Sequence, residues 1–149
     1  MTKRLVLSVC LILVIALTAY TQIPARPYRN GSVWEITFIH THAGMGNAYL
    51  TYLTTDWKRE QEAAKQDGMI LSYKVLTTES HTGADWDVML MVEYKDLATM
   101  EANQAKQDAL GQKLFGSDQK IEQGYRDRAA MRDVVGGRIA REIILEPRR

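Results

Sequence analysis

The stretch MILSYKVLTTESHTGADWDVMLMVEY, residues 69–94, decides the fold. It contains two apolar runs, residues 69–76 and 86–94, which are rich in the β-branched and aromatic side chains that favour strands. The polar residues 79–85 separate the two runs and include Gly83, which suits a turn. We therefore predict a β-hairpin, and we expect the other elements to bury their apolar faces against it.

The hydrophobic periodicity on either side of the hairpin predicts the remaining elements. In chain order these are a strand over residues 33–42, a helix from Asn47 to a stop at Asp67-Gly68, a helix from Asp96 to Gly116, a third helix ending at Gly136-Gly137, and a strand over residues 138–146. The order β-α-β-β-α-α-β predicts the α+β class. It favours a ferredoxin-like, four-stranded antiparallel sheet with helices on one face.

Composition and charge narrow the class of protein. The chain has 149 residues, of which 46% are hydrophobic and 25% charged, as expected for one folded domain. Its 19 basic and 18 acidic residues nearly cancel. A nucleic-acid-binding domain would show a basic excess, so we expect no nucleic-acid partner.

The N-terminal residues are typical of an export signal. Lys3 and Arg4 precede an apolar run over residues 5–19, and Ala19 and Thr21 are small residues at the positions that a cleavage site requires. We predict a signal peptide over residues 1–21, a linker over 22–32 and a folded domain over 33–147, with export to the periplasm or the extracellular space. The alternative is an uncleaved membrane anchor. The single cysteine, Cys10, lies in this leader, so the mature domain would use neither a disulfide nor a thiol nucleophile.

The second strand of the hairpin is apolar on both sides. Val88, Leu90 and Val92 alternate with Met89 and Met91, and helices on one face of a sheet cover only one of these two sets. The simplest cover for the second set is the same face of another copy of the chain, related by a twofold axis. We therefore expect a homodimer.

Three segments carry a resemblance to a known superfamily: WEITFI at residues 34–39, the helix from Trp57 to Asp67-Gly68, and WDVMLMVEY at 86–94 followed by Asp96-Leu-Ala. Together they resemble the dimeric α/β-barrel superfamily, which includes antibiotic-biosynthesis monooxygenases and stress-responsive barrel domains. The resemblance implies a dimeric α/β barrel over about residues 33–146. It leaves the activity open, because the superfamily includes oxygenases, isomerases, haem enzymes and proteins without an assigned role.

The three histidines are the clearest candidates for chemistry. His40 and His42 point to the same side of a strand, and with His81 of the hairpin loop they could hold a divalent metal ion. The simpler interpretation is two histidines at the end of a packed strand. His40 also shares its strand face with Trp34 and Phe38, so it is a candidate general acid or base beside an apolar pocket.

Two hypotheses follow for the function. The first is a small-molecule enzyme without a cofactor, of the monooxygenase or isomerase type, with His40 as the catalytic group and a mostly apolar pocket for an organic substrate. The residues predicted to line this pocket are Trp34, Phe38, Tyr73 and Trp86. The second is a non-catalytic ligand-binding or structural dimer. A haem or divalent-metal protein is a third, weaker alternative.

Overall fold

The computed structural model describes residues 26–79, 82 and 85–146; the predicted leader and His81 lie outside these residues. The strands are β1 (Tyr28–Thr41), β2 (Ser72–Thr77), β3 (Val88–Tyr94) and β4 (Arg132–Leu145). Between β1 and β2, a π-helical turn (Leu53–Trp57) connects helices α1 (Gly46–Tyr52) and α2 (Lys58–Gln66). Helices α3 (Leu97–Ala102), α4 (Gln104–Phe115) and α5 (Asp118–Ala129) lie between β3 and β4.

The four strands form one antiparallel sheet in the order β2-β3-β1-β4. The predicted hairpin pairs β2 with β3, and β3 also pairs with β1, so that Ile39 lies opposite Val88 and Val33 opposite Tyr94. Strands β3 and β1 are therefore central and strands β2 and β4 are at the edges, which is the ferredoxin-like order. The predicted α+β fold is confirmed.

One face of the sheet packs against the helices and forms the core. Two clusters of buried side chains fill this layer: Ile39, Tyr49, Leu53, Trp57, Val88 and Leu90 in the first, and Ala64, Met69, Ile70, Tyr94 and Leu110 in the second. Because side chains alternate along a strand, the residues between these positions lie on the opposite face. That face, which we call the helix-free face, carries Trp34, Ile36, Phe38, His40, Met89 and Met91.

The boundary between the third helix and the last strand differs from the prediction. Gly136 and Gly137 do not end a helix, because α5 ends at Ala129 and both glycines lie inside β4. A Cβ atom at Gly136 would lie 3.7 Å from Cδ2 of Phe38, and one at Gly137 would lie 3.6 Å from the carbonyl oxygen of Ile36. Both distances are ordinary van der Waals contacts, so the two glycines are strand positions beside β1 rather than a helix stop.

Other boundaries are closer to the prediction. Gly68 ends α2 with a φ of +69°, and the Asp96 carboxylate caps α3 by accepting the Thr99 N–H at 2.7 Å. β2 begins at Ser72 rather than Met69, because Met69 and Ile70 are buried against the helices. β1 begins at Tyr28, inside the segment predicted as a linker.

The chain divides into two compact units, Asn30–Ile144 and the terminal segments that flank it. In the terminal unit, Arg29 Nε lies 3.2 Å from Glu146 Oε1, and the Glu146 N–H donates to the Pro27 carbonyl oxygen at 3.0 Å. Within the described part of the chain, no helix has the length and apolar character needed to cross a membrane.

Candidate functional site

A cavity of about 270 Å³ lies between the sheet and helices α2 and α4. The sheet contributes Leu90 and Val92, and the end of the π-helical turn contributes the Trp57 ring. Six polar side chains also line it: Glu35, Thr37, Glu60, Gln61, Tyr94 and Gln107. Half of the lining residues are apolar and half are polar, so the cavity offers both an apolar surface and hydrogen-bonding groups to a small organic molecule.

Tyr94 links the sheet wall of the cavity to the helix wall. Its hydroxyl donates to Glu35 Oε2 at 3.2 Å and accepts from Gln107 Nε2 at 3.3 Å. Burial raises the pKa of Tyr94 to about 12, because the phenolate would lose its hydration inside the protein. Tyr94 is therefore a neutral donor and acceptor at physiological pH.

Glu60 enters the cavity from α2. It follows Trp57 by three residues and precedes Ala64 by four, which places all three on one side of the helix. Trp57 and Ala64 are buried and Glu60 is half-buried. Burial raises the pKa of the Glu60 carboxyl above its usual value, while the positive charge of Arg128 opposes this change.

A second cavity, of about 670 Å³, opens between α1, α4 and α5 and shares Glu60 and Gln107 with the first. Arg128 lines it and lies over two aromatic rings, 5.3 Å from the centroid of Tyr52 and 4.3 Å from that of Tyr125. Such cation–π contacts hold a guanidinium group in place. The two cavities thus meet at Glu60 and Gln107.

The residues predicted as the site lie elsewhere on the sheet. Trp34, Phe38 and His40 are on the helix-free face, with the Phe38 and Trp86 rings 5.6 Å apart. Tyr73 is opposite Val92 on the helix-facing side, where its hydroxyl donates to Glu62 Oε1 at 2.5 Å. This hydrogen bond raises the pKa of Tyr73 to about 12. The structure therefore brings Phe38 and Trp86 together and separates Tyr73 from Trp34 and Phe38.

The hydrogen bond made by His40 determines which nitrogen is free. Its Nδ1 lies 2.8 Å from the carbonyl oxygen of Asp85, and a carbonyl can only accept, so Nδ1 carries the proton. In the neutral imidazole, Nε2 then has the free lone pair. His40 is therefore a possible base on the helix-free face.

His42 is held by neighbours at both nitrogens. Its Nδ1 lies 3.1 Å from the Ala130 carbonyl oxygen and its Nε2 lies 3.1 Å from Asp133 Oδ2. The Ala130 carbonyl, followed by the Asp133 carboxylate, raises the pKa of His42 above its usual 6.5. Among the described residues, no group of three His, Cys, Asp or Glu side chains is close enough to hold a metal ion.

Sequence reasoning did not select the polar residues of the cavity. Glu35 shares with Val33 and Thr37 the strand face that packs on the helices, so a carboxylate at a core-facing position is the available signal. Glu60 lies among the mostly charged residues 58–62, which are typical of a solvated helix side, although its spacing from Trp57 and Ala64 places it on the buried side. Gln107 and Tyr94 carried no comparable signal.

Comparison with known proteins identifies a structure with a similar fold but no matching family. No protein-family model matches the chain, and no curated protein matches it. The crystal structure of HapK from Hahella chejuensis is similar, with a TM-score of 0.51 and 10% sequence identity over 74% of this chain and 91% of that chain. The chain has a ferredoxin-like fold. At this identity, the similarity to HapK concerns the fold alone.

Proposed function

We propose that this protein is a homodimer that binds a small organic molecule in the cavity between its sheet and its helices. The cavity itself is the observation that carries the proposal. Its apolar surfaces, including Leu90, Val92 and Trp57, suit the body of an organic ligand, and the Tyr94 hydroxyl and Glu60 carboxyl can orient polar groups.

Blocking the cavity tests the binding function. Ala64 is buried and lines the cavity, so Ala64→Leu should fill part of it. A panel of monocyclic aromatic fragments, followed by ligand-observed NMR, should show binding to the wild type and its loss in Ala64→Leu. Ala98→Leu is the matched control, because Ala98 is exposed on α3. Fragment binding that survives Ala64→Leu, or no binding to the wild type, would contradict the proposal.

The helix-free face supports the dimer. Its centre is apolar, with Ile36 opposite Met91 and Phe38 opposite Met89 in the strand register. Leu76, opposite Met89 on β2, remains 45% exposed. A large apolar face in contact with water is unfavourable, and a second copy would cover it, as the resemblance to dimeric α/β barrels implies. Light scattering at micromolar concentration should give twice the mass of one chain; a stable monomer would contradict the dimer.

The leader supports export. Its charged start and apolar run are those of a signal peptide, and we propose that the mature chain is released outside the cytoplasm. Expression of the full chain, followed by cell fractionation and N-terminal sequencing, tests this. A new N-terminus near residue 22 in the periplasmic or extracellular fraction is expected, and an intact chain in the cytoplasm would contradict export.

A second candidate function is a cofactor-free enzyme with His40 as its acid–base group. The free Nε2 of His40, fixed by the Asp85 carbonyl, favours it. This enzyme would remove a proton from a phenolic or similarly activated carbon acid, and a monooxygenase would then consume dioxygen. Oxygen uptake with a panel of polycyclic phenols should occur with the wild type and stop in His40→Ala. Equal uptake by both would reject this role of His40.

A further inference from the structure

We propose that the cavity between the sheet and the helices selects an organic cation, a protonated amine whose ammonium group is held by Glu60 and Glu35. This inference rests on the proposed binding function and adds the chemical class of the ligand. It follows from the charges of the cavity lining, from the ion pairs of Glu60, and from the aromatic wall.

The cavity lining carries negative charge without a positive counterpart. Glu35 enters from the sheet and Glu60 from α2, and none of the residues that line this cavity is lysine, arginine or histidine. A neutral ligand that filled the cavity would remove water from these carboxylates without replacing its hydrogen bonds, which is costly. A protonated amine would replace them with charge-assisted hydrogen bonds.

Glu60 has an unused capacity for a cation. Arg128 is the cation that acts on it, but no ion pair within 4.0 Å joins the two side chains. The Arg128 guanidinium instead lies over the rings of Tyr52 and Tyr125. Glu60 lines both cavities, whereas Arg128 lines only the second. The Glu60 carboxylate is therefore available to a ligand in the first cavity.

Glu35 is similarly available. In the part of the chain that the structure describes, its carboxylate accepts one hydrogen bond, from the Tyr94 hydroxyl. An ionised carboxylate has two oxygens and accepts several hydrogen bonds, so an ammonium group can be added without breaking this contact. Tyr94 in turn is held by Gln107, which fixes Glu35 at the sheet wall.

The aromatic wall favours a cation over a neutral polar group. Trp57 and Tyr94 both line the cavity, and aromatic faces attract ammonium groups. Trp57 is held edge-on against Tyr73, with 5.3 Å between ring centroids and an angle of 89°, so its position is defined before a ligand binds. A carboxylate ligand would meet repulsion from Glu35 and Glu60 instead.

Three ligands of matched shape test the charge preference: 2-phenylethylamine, 2-phenylethanol and 3-phenylpropionate. Titration calorimetry on the full mature chain at pH 7 should show the amine binding at least about tenfold more tightly than the alcohol, as expected for a charge-assisted contact. The carboxylate should bind most weakly. Glu60→Gln should weaken amine binding by about tenfold and leave alcohol binding unchanged.

The controls separate this inference from the proposed function. Glu101→Gln, at an exposed position of α3 outside the cavity, should keep the preference for the amine. Glu35→Gln provides a second variant if Glu60→Gln does not fold, and it should also weaken amine binding. Equal binding of amine and alcohol, or tighter binding of the carboxylate, would overturn the amine preference but leave the binding function intact. Failure of all three ligands and of the fragment panel would overturn both.

Discussion

At the scale of single residues, the Tyr94 hydroxyl connects a strand, a helix and the cavity. Tyr94→Phe removes the hydrogen bonds to Glu35 and Gln107 while keeping the buried ring. We expect a loss of about 0.5–1.5 kcal/mol in the free energy of unfolding, measured by urea denaturation. Tyr125→Phe is the control, because Tyr125 is 62% exposed and its ring contact with Arg128 remains. Equal losses in the two variants would contradict the proposed role of the Tyr94 hydroxyl.

His42 should make stability depend on pH near neutrality. Its pKa is raised by the Ala130 carbonyl and then by the Asp133 carboxylate, so the protonated form is favoured in the folded state. The stabilisation is therefore present below the unfolded pKa of about 6.5 and is lost as pH rises through the folded pKa. Proton NMR should give a titration midpoint for His42 above 6.5, the ordinary value.

The variant Asp133→Asn separates the two causes of the raised pKa of His42. Asp133→Asn should lower the midpoint of His42 without returning it fully to the ordinary value, because the Ala130 carbonyl remains in place. The difference in melting temperature between the wild type and Asp133→Asn should be larger at pH 5.5 than at pH 8. A midpoint unchanged by the substitution would exclude the ion pair in solution.

Residue identity directed the site prediction to the histidines rather than to the carboxylates. His40 and His42 were selected because histidines are few and adjacent, and the structure shows how each is hydrogen-bonded. Glu35 and Glu60 were not selected, since a carboxylate on a strand or helix is usually solvated. Their proposed role depends on which atoms surround them, and these are determined only when helix and sheet pack together.

At the scale of the elements, the helix caps differ in a way that can be tested. Asp96 caps α3 with its side chain, whereas Ser117 at the start of α5 makes no side-chain cap hydrogen bond. Asp96→Ala should lower the melting temperature by a few degrees, and Ser117→Ala, the matched control, should have little effect. Because the Thr99 N–H lowers the pKa of Asp96, this difference should shrink as pH falls below about 4. A larger effect at Ser117 would contradict the assignment.

The pairing of β1 with β4 depends on a glycine. A Cβ atom at Gly31 would lie 2.9 Å from Cβ of Glu142, too close for any side chain without movement of the strands. Gly31→Ala should therefore reduce the free energy of unfolding by about 1–3 kcal/mol. Gly111→Ala, inside α4 with nothing within 4 Å of the new Cβ, should be neutral or stabilising by about 0.5–1 kcal/mol. Chemical denaturation measures both, and a neutral Gly31→Ala would contradict the close approach.

The elements themselves were largely predictable. The hairpin, the Gly68 stop and the Asp96 cap depend on local sequence, which is why they were found. The end of α5 was misplaced because two glycines usually interrupt a helix, and only the pairing with β1 shows that they belong to a strand. In the first helix Tyr49 is buried, whereas its neighbour Leu50 is 38% exposed.

At the scale of the whole molecule, a charge on the helix-free face should separate the proposed dimer. Met91 lies opposite both Ile36 and Lys74, near the middle of this face. Met91→Glu should produce monomers in light scattering, because a carboxylate at an apolar interface loses its hydration. Leu50→Glu, on α1 and away from this face, should leave the dimer unchanged. Dimers in both variants would indicate that another surface joins the copies.

The sequence indicates a second apolar face, because both sides of one strand carry large apolar residues. It could not indicate the cavity beneath the helices. A cavity results from how far two layers stand apart, which depends on side chains distant in sequence, such as Glu35, Trp57 and Gln107. The alternation of apolar and polar residues along one strand gives no information about the distance between the sheet and the helices.

The π-helical turn at Leu53–Trp57 has a consequence for the ancestry of the site. Such a turn forms when one amino acid is inserted into an otherwise regular α-helix. Wide turns of this kind often occur near functional positions. Deleting one residue there should restore regular winding with little rotation of the helix that follows, because the wide turn covers nearly the same angle around the axis as an α-helical segment with one residue fewer. Glu60 should therefore keep its place in the cavity lining, so a related chain without the insertion can carry a carboxylate at the same position.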